Sequence, residues 1–162
     1  DDFKNYIQDV KKNTKKLGDE LQKLDYKLCT DGSDNHLLLV NLRNKNITGS
    51  KVEYILEKVG ISVNKNTIIG DKSALSPSGI RIGLCAMTTR GLNGQKECKE
   101  LCELIDRAIC IGIDIGTKTE YKKLNDFKKK IDEMSNDSNS IIVKCRNDVY
   151  NFTSKYINIY NL

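Results

Sequence analysis

The stretch PSGIRIG, residues 77–83, carries the residue on which the interpretation of this chain depends. Its apolar residues and glycines predict a short strand from Gly79 to Gly83, with Arg81 flanked by Ile80 and Ile82. A buried guanidinium without an anion is very costly, and its planar fork suits a carboxylate. We therefore expect Arg81 to meet a carboxylate. A structural salt bridge is the simpler interpretation and a bound ligand is the alternative.

Two more strands are predicted upstream of this stretch. Residues 37–43 form an apolar run after a polar break, and residues 61–69 form a second one. Between them, the sequence SKVE at residues 50–53 matches a capping box that would begin a helix. Gly60 is expected to end that helix in the left-handed conformation.

Amphipathic helices are predicted on both sides of the strands. Apolar residues recur at helical spacing from Phe3 to Leu24 and from Gln95 to about Ile115, and two further helices are centred near Phe127 and Val149. The order of elements predicts an α+β fold. Its small, mostly antiparallel sheet of about three strands would be covered by helices on one face.

Composition excludes several classes of function. Lysine and arginine number 27 against 22 acidic residues, a net charge of +5, but the two signs alternate along the chain. Aromatic residues make up 6% and tryptophan is absent, so a nucleic-acid partner is not predicted and an RNA-contacting domain is the weakest hypothesis. Apolar runs are too short for a membrane span. The chain opens DDFK without a secretory signal or an initial methionine, and we expect a fragment or a processed chain.

Six cysteines occur without a CxxC pair, which favours reduced thiols in an intracellular compartment. Cys98 and Cys102 lie four residues apart, yet a zinc site would need further ligands and His36 is the single histidine. Their spacing within an apolar stripe is typical of a helix core instead. No metal is predicted. Nucleophilic chemistry by Cys85 with His36 stays open, but no sequence feature supports it.

Four blocks of sequence carry a family resemblance. They are SDNHLLLVNLR (33–43), VGISVNKN (59–66), SALSPSGIRIG (73–83) and TTRG (88–91). In this order and spacing they resemble the C-terminal domain of the eukaryotic-type serine hydroxymethyltransferases. The likeness is specific from about Gly32 to Gly91, and elsewhere the helices agree in pattern only.

The resemblance implies the small domain of an aspartate-aminotransferase-like fold in a pyridoxal-phosphate enzyme. Such an enzyme converts serine and tetrahydrofolate to glycine and 5,10-methylenetetrahydrofolate. Arg81 would bind the carboxylate of the amino acid, and Asn66 would lie against the folate. The following loop, with Ser73, Ala74 and Leu75, would contribute to the folate site.

The resemblance also implies a division of the chain and what it lacks. Residues 1–28 would be a long helix leading from a large domain, and residues 29–162 would form the small domain. The cofactor lysine, and the aspartate and histidine that hold the pyridine ring, belong to family segments upstream of those matched here. We therefore expect the chain to be inactive alone, with its first helix exposing apolar surface that promotes self-association. The whole enzyme would be a dimer or tetramer, cytoplasmic or alternatively mitochondrial.

Two departures from the family pattern stand near the predicted site. Leu84-Cys85-Ala86 replaces the usual Thr-Pro-Ala, and a proline expected near Ile69 is missing. Cys85 would then be a thiol near the pocket, and an inert thiol is favoured over a redox-sensitive one. A non-catalytic folate- or carboxylate-binding module stays the alternative function.

Overall fold

The computed structural model describes residues 2–157, and these form an α+β fold, as predicted. The helices are α1 (Asp2–Lys23), α2 (Gly49–Lys58), α3 (Cys85–Thr89), α4 (Gln95–Gly116), α5 (Leu124–Asn136) and α6 (Ile141–Thr153). The strands are β1 (Lys27–Leu28), β2 (Leu37–Asn41), β3 (Asn64–Asn66) and β4 (Gly79–Gly83). The predicted division at residue 28 stays a prediction, and its outer limits, residue 1 and residues 158–162, lie outside the described residues.

The four strands form one antiparallel sheet in the order β1-β2-β4-β3. The three predicted strands are present, and the short edge strand β1 was not foreseen from the sequence. The second predicted strand is shorter than residues 61–69, since only Asn64–Asn66 pairs with β4. The central strand β4 places Arg81 opposite Leu39 of β2 on one side and Asn64 of β3 on the other.

The sheet has one covered face and one open face. The covered face carries Leu38, Val40, Ile80 and Ile82, each at most 5% exposed. Helices α1 and α2 contact the sheet, and α4 packs against both of them. Side chains alternate along a strand, so the intervening residues point the other way. This open face carries Leu37, Leu39, Asn41, Asn64, Asn66 and Arg81, which are half-buried or exposed.

Helix α2 begins differently from the prediction. Thr48, and not Ser50, is the cap, because its side chain accepts the N–H of Lys51 at 3.4 Å. Ser50 already lies inside the helix, and Glu53 accepts the N–H of Lys65 at 2.9 Å instead of reaching back to a cap. The predicted capping box is therefore wrong. Gly60 follows the helix with φ 88°, which confirms its predicted left-handed conformation.

Helix α1 packs along α4 through a buried stripe that includes Val10, Leu17 and Leu21, whereas Phe3 near its start is 74% exposed. Asn13 of α1, fully buried, donates from Nδ2 to the carbonyl of Leu92 at 2.7 Å. No helix among residues 2–157 is long and apolar enough to cross a bilayer.

The short helix α3 was not predicted. It occupies the segment where Leu84-Cys85-Ala86 departs from the family pattern, and a backbone bond from Thr88 N–H to Leu84 O of 2.9 Å forms its turn. A proline at position 85 would be the first residue of this helix, where proline is tolerated, so the replacement does not explain α3. Tyr6 of α1 donates its hydroxyl to the carbonyl of Cys85 at 3.3 Å, which ties α3 to α1.

Candidate functional site

Arg81 lies exposed on the open face, beside an open groove of about 330 Å³. The groove is lined by His36, Leu37, Ser62, Val63, Asn64, Arg81 and Gly83. Among residues 2–157, no ion pair involves Arg81. A permanent internal salt bridge therefore finds no partner in the described part of the chain. The guanidinium is available to an anion that enters the groove.

The two glycines at the ends of β4, Gly79 and Gly83, have different surroundings. At Gly79 an added Cβ would lie 2.8 Å from Ile68 Cγ2 and 3.0 Å from the carbonyl oxygens of Val40 and Asn66, so only glycine fits there. At Gly83 an added Cβ would meet only the carbonyl of His36, at 3.8 Å. The strand is thus tightly packed at Gly79 and open at Gly83, which borders the groove beside Arg81.

Asn66 lies on the open face at the end of β3, opposite Gly79 in register. It is half-buried, and its Nδ2 donates to the carbonyl of Thr67 at 2.7 Å. Within residues 2–157 no group donates to its Oδ1, which can accept a hydrogen bond from a ligand. Asn66 is two positions along β3 from Asn64, which stands directly opposite Arg81. Both asparagines and the arginine therefore share one face of the sheet.

Ser73, Ala74 and Leu75 lie on the loop of residues 67–78 that returns the chain to β4, and all three are exposed, Leu75 to 86%. The Ser73 hydroxyl accepts the N–H of Leu75 at 3.1 Å. Leu75 borders a second groove, of about 190 Å³, together with Ser50, Lys51 and Ser76. The structure thus places Arg81 on one groove and Leu75 on another, and it does not bring the predicted residues into a single cavity.

Asn64 was not singled out from the sequence as a site residue, and His36 was considered only as a partner of Cys85, although both line the groove with Arg81. The signal for Asn64 was the period of two between the asparagines of NKN, which puts both side chains on the same face of a strand. His36 immediately precedes β2, and no feature of the local sequence indicates that this end of the strand lies beside Arg81.

The thiols do not form a reactive cluster. All six cysteines are free, and Cys85 is half-buried. Burial raises the pKa of Cys98 to about 11 and that of Cys102 to about 12, so both remain protonated at neutral pH. Within residues 2–157 no group of three His, Cys, Asp or Glu side chains is placed to hold a metal ion.

Lysine is likewise missing from the lining of the Arg81 groove within the described part of the chain. A pyridoxal-phosphate enzyme binds its cofactor through a lysine. The residues around Arg81 therefore do not by themselves fit that cofactor. What they offer is a cation and amide groups for an anionic substrate.

Comparison with known proteins settles the family. Residues 1–105 match the family model of serine hydroxymethyltransferase. The chain belongs to the serine hydroxymethyltransferase family. This confirms the resemblance carried by the four sequence blocks. It also places the first helix within the matched region.

Individual relatives extend the likeness along the chain. It is 41% identical over 157 residues to the cytosolic serine hydroxymethyltransferase of Candida glabrata, and 40% identical over 157 residues to that of Saccharomyces cerevisiae. Each match covers 96% of this chain and 32% of the relative. The mitochondrial enzyme of Candida glabrata is 47% identical over 138 residues, which are 82% of this chain and 28% of that protein. The chain thus spans about a third of the length of the curated relatives it matches.

Proposed function

We propose that this chain is the C-terminal part of a pyridoxal-phosphate-dependent serine hydroxymethyltransferase. The reaction would convert serine and tetrahydrofolate to glycine and 5,10-methylenetetrahydrofolate. Family membership supports the reaction, and the observation that carries this chain's share in it is Arg81, which is exposed beside a groove and makes no ion pair among the described residues.

Arg81 binds the carboxylate of serine or glycine in this proposal. A guanidinium donates two parallel N–H bonds to a carboxylate, which fixes both the position and the orientation of the amino acid. That orientation decides which bond at the α-carbon is aligned for cleavage. Asn64, opposite Arg81 on β3, adds an amide at the same level of the sheet.

Asn66 and residues 73–75 form the folate side of the proposed site. The Asn66 amide has donor and acceptor atoms that match the edge of a pterin ring. Leu75 offers an exposed apolar side chain for a flat aromatic surface, and Ser73 and Ala74 shape the loop beside it. The loop is 12 residues long and lies outside helix and strand, so it can approach a ligand bound at the end of β3.

Pyridoxal phosphate, when bound, supplies the electron sink for cleavage at the α-carbon. Because the groove residues do not fit the cofactor, the proposal assigns cofactor binding to the rest of a longer enzyme. The isolated chain, mixed with pyridoxal phosphate, serine and tetrahydrofolate, is then expected to form no glycine. Glycine formation above a blank without protein would contradict this.

The same proposal makes the whole enzyme a dimer or tetramer in the cytoplasm, with the mitochondrion as the alternative, since relatives of both compartments match.

The full-length protein that the gene encodes provides the direct test. Purified with pyridoxal phosphate, it is expected to produce glycine from serine only when tetrahydrofolate is supplied as a co-substrate. The second candidate is a folate- or carboxylate-binding module without catalysis, which needs only the exposed Arg81 and its groove. A full-length protein that binds tetrahydrofolate or serine but yields no glycine would support that module and reject the enzyme.

A further inference from the structure

One carboxylate anchors the loop that joins β3 to β4. The Asp71 side chain is only 5% exposed and accepts four hydrogen bonds. Its Oδ2 accepts the backbone N–H groups of Ile68 at 3.0 Å and of Ser78 at 2.8 Å. Its Oδ1 accepts the hydroxyl of Ser78 at 2.6 Å and Nη2 of Arg43 at 2.9 Å. A single side chain therefore joins both ends of the loop.

Arg43 connects this anchor to the sheet, because it lies just beyond the end of β2. Its Nη2 also donates to the carbonyl of Ile69 at 3.0 Å. Gly70 between Ile69 and Asp71 has φ 90°, and a Cβ there would lie 3.4 Å from Arg43 Nη2. We call Asp71, Ser78 and Arg43 together the Asp71 clasp.

The Asp71 clasp is close in the chain or in register to both groups of proposed folate residues, Asn66 and residues 73–75. Ser78 directly precedes Gly79, the register partner of Asn66. Residues 73–75 lie between the two clasped points, Ile68 and Ser78. Hydrogen bonds from Ser78 and from the backbone of Ile68 hold the pKa of the Asp71 carboxyl well below its usual range, so it stays ionised at neutral pH.

We propose that Asp71 is a positioning residue for the folate-binding loop: its carboxylate, through Ser78, Arg43 and the backbone of Ile68, fixes the two ends of the loop that carries residues 73–75. This inference rests on the proposed function of that loop. Asp71 itself contacts no substrate in this proposal. Its role is to keep a long loop in one conformation, so that tetrahydrofolate binding does not have to order the loop.

The test is Asp71→Asn in the full-length protein, measured by calorimetric titration with tetrahydrofolate. In the variant, an NH₂ group replaces one carboxylate oxygen of residue 71. Because an amide nitrogen cannot accept a hydrogen bond, the two donors that faced that oxygen lose their acceptor. We expect the Kd for tetrahydrofolate to rise about tenfold or more, because charge-assisted hydrogen bonds that order the loop are lost. The KM for the amino acid in folate-independent cleavage of a β-hydroxy amino acid should stay unchanged.

Asp132→Asn is the matched control. Like Asp71, the Asp132 carboxylate accepts a hydroxyl and pairs with a basic side chain: Tyr54 OH donates to it at 2.7 Å, and Lys58 lies at 2.6 Å. It lies on α5, away from the loop. This variant should bind tetrahydrofolate as the wild type does. If Asp71→Asn does not fold, Arg43→Gln removes one donor of the clasp and should raise the same Kd by a smaller factor.

Three results would overturn the inference, and they separate it from the proposed function. The inference alone is overturned if the wild-type protein binds tetrahydrofolate and Asp71→Asn binds it equally well. Where Asp71→Asn does not fold, equal binding by Arg43→Gln has the same meaning. Equal losses for the folate and the amino acid would show a general structural role and also reject it. A wild-type protein that does not bind tetrahydrofolate would overturn the proposed function and the inference together.

Discussion

The two faces of strand β4 differ in what their residues do. Ile80 and Ile82 on the covered face are at most 5% exposed and pack beneath the helices. Arg81, between them, lies exposed on the open face beside a groove. Neighbouring positions on one strand therefore face a packed core and an open groove, since successive side chains point to opposite faces. A substitution at Ile80 or Ile82 should therefore lower the free energy of unfolding, and one at Arg81 should lower activity.

Arg81→Ala in the full-length protein should give the largest effect of all. If Arg81 binds the carboxylate as proposed, its loss should reduce kcat/KM for serine by about 10³-fold, with little change in thermal unfolding. Steady-state glycine formation and calorimetry measure the two quantities. Arg107→Ala is the control, because Arg107 pairs with Asp148 on the helical side and should leave turnover unchanged. Near-normal kinetics of Arg81→Ala would reject its role.

Ile80→Ala is the opposite experiment on the same strand. Removing a fully buried side chain should lower the free energy of unfolding by about 2–5 kcal/mol. Urea denaturation of the full-length protein measures it. Leu39→Ala, on the open face and half-buried, should cost clearly less. Equal losses for the two variants would break the comparison between the faces.

Asn66→Ala should have a smaller and more selective effect. We expect the KM for tetrahydrofolate to rise about tenfold, as for the loss of one hydrogen bond that a ligand depends on. Folate-independent cleavage of a β-hydroxy amino acid should change much less. An equal loss in both reactions would move Asn66 from the folate side to the amino-acid side of the site.

Phe3→Ser should produce the smallest effect. Phe3 is 74% exposed near the start of α1, and Ile7, one turn on, is 37% exposed. If this apolar surface promotes self-association of the isolated chain, its mean mass by light scattering should rise with concentration and the serine variant should reduce that rise. A wild-type chain that stays monomeric at all concentrations would contradict the expectation.

Much of the fold could be predicted because its periodic signals are strong. The predicted helix from Gln95 to about Ile115 is observed as Gln95–Gly116, and the predicted strand at residues 79–83 is observed with the same limits. Strand β1 could not be foreseen, since two residues show no period and the strand exists only by pairing with β2. The cap of α2 was misassigned because SKVE at residues 50–53 matches a capping box, while Thr48, two residues earlier, is the cap. The Gly49 N–H at the start of the helix is bonded to Pro77 O, a contact that the local sequence does not reveal.

The site could be predicted only in part. The neighbours of Arg81 predicted only that it would meet an anion, with a salt bridge as the simpler interpretation. Its proposed role as a substrate-binding residue, like those of Asn66 and residues 73–75, came from family resemblance. Asp71 was not identified, because its importance depends on four donors that are distant in sequence or belong to the backbone. The separation of Leu75 and Arg81 onto two grooves likewise depends on the path of the loop, which sequence alone does not determine.

The unequal burial of the cysteines has a practical consequence. Cys29 and Cys110 are exposed, whereas Cys98, Cys102 and Cys145 are buried. Burial raises the pKa of all five thiols, so the difference between the two groups is their accessibility to a reagent. An alkylating reagent should therefore modify the outer pair quickly and the inner three only when α4 and α6 separate from their neighbours. Mass spectrometry of the successive adducts would follow the opening of the helical layer in real time, without any introduced label.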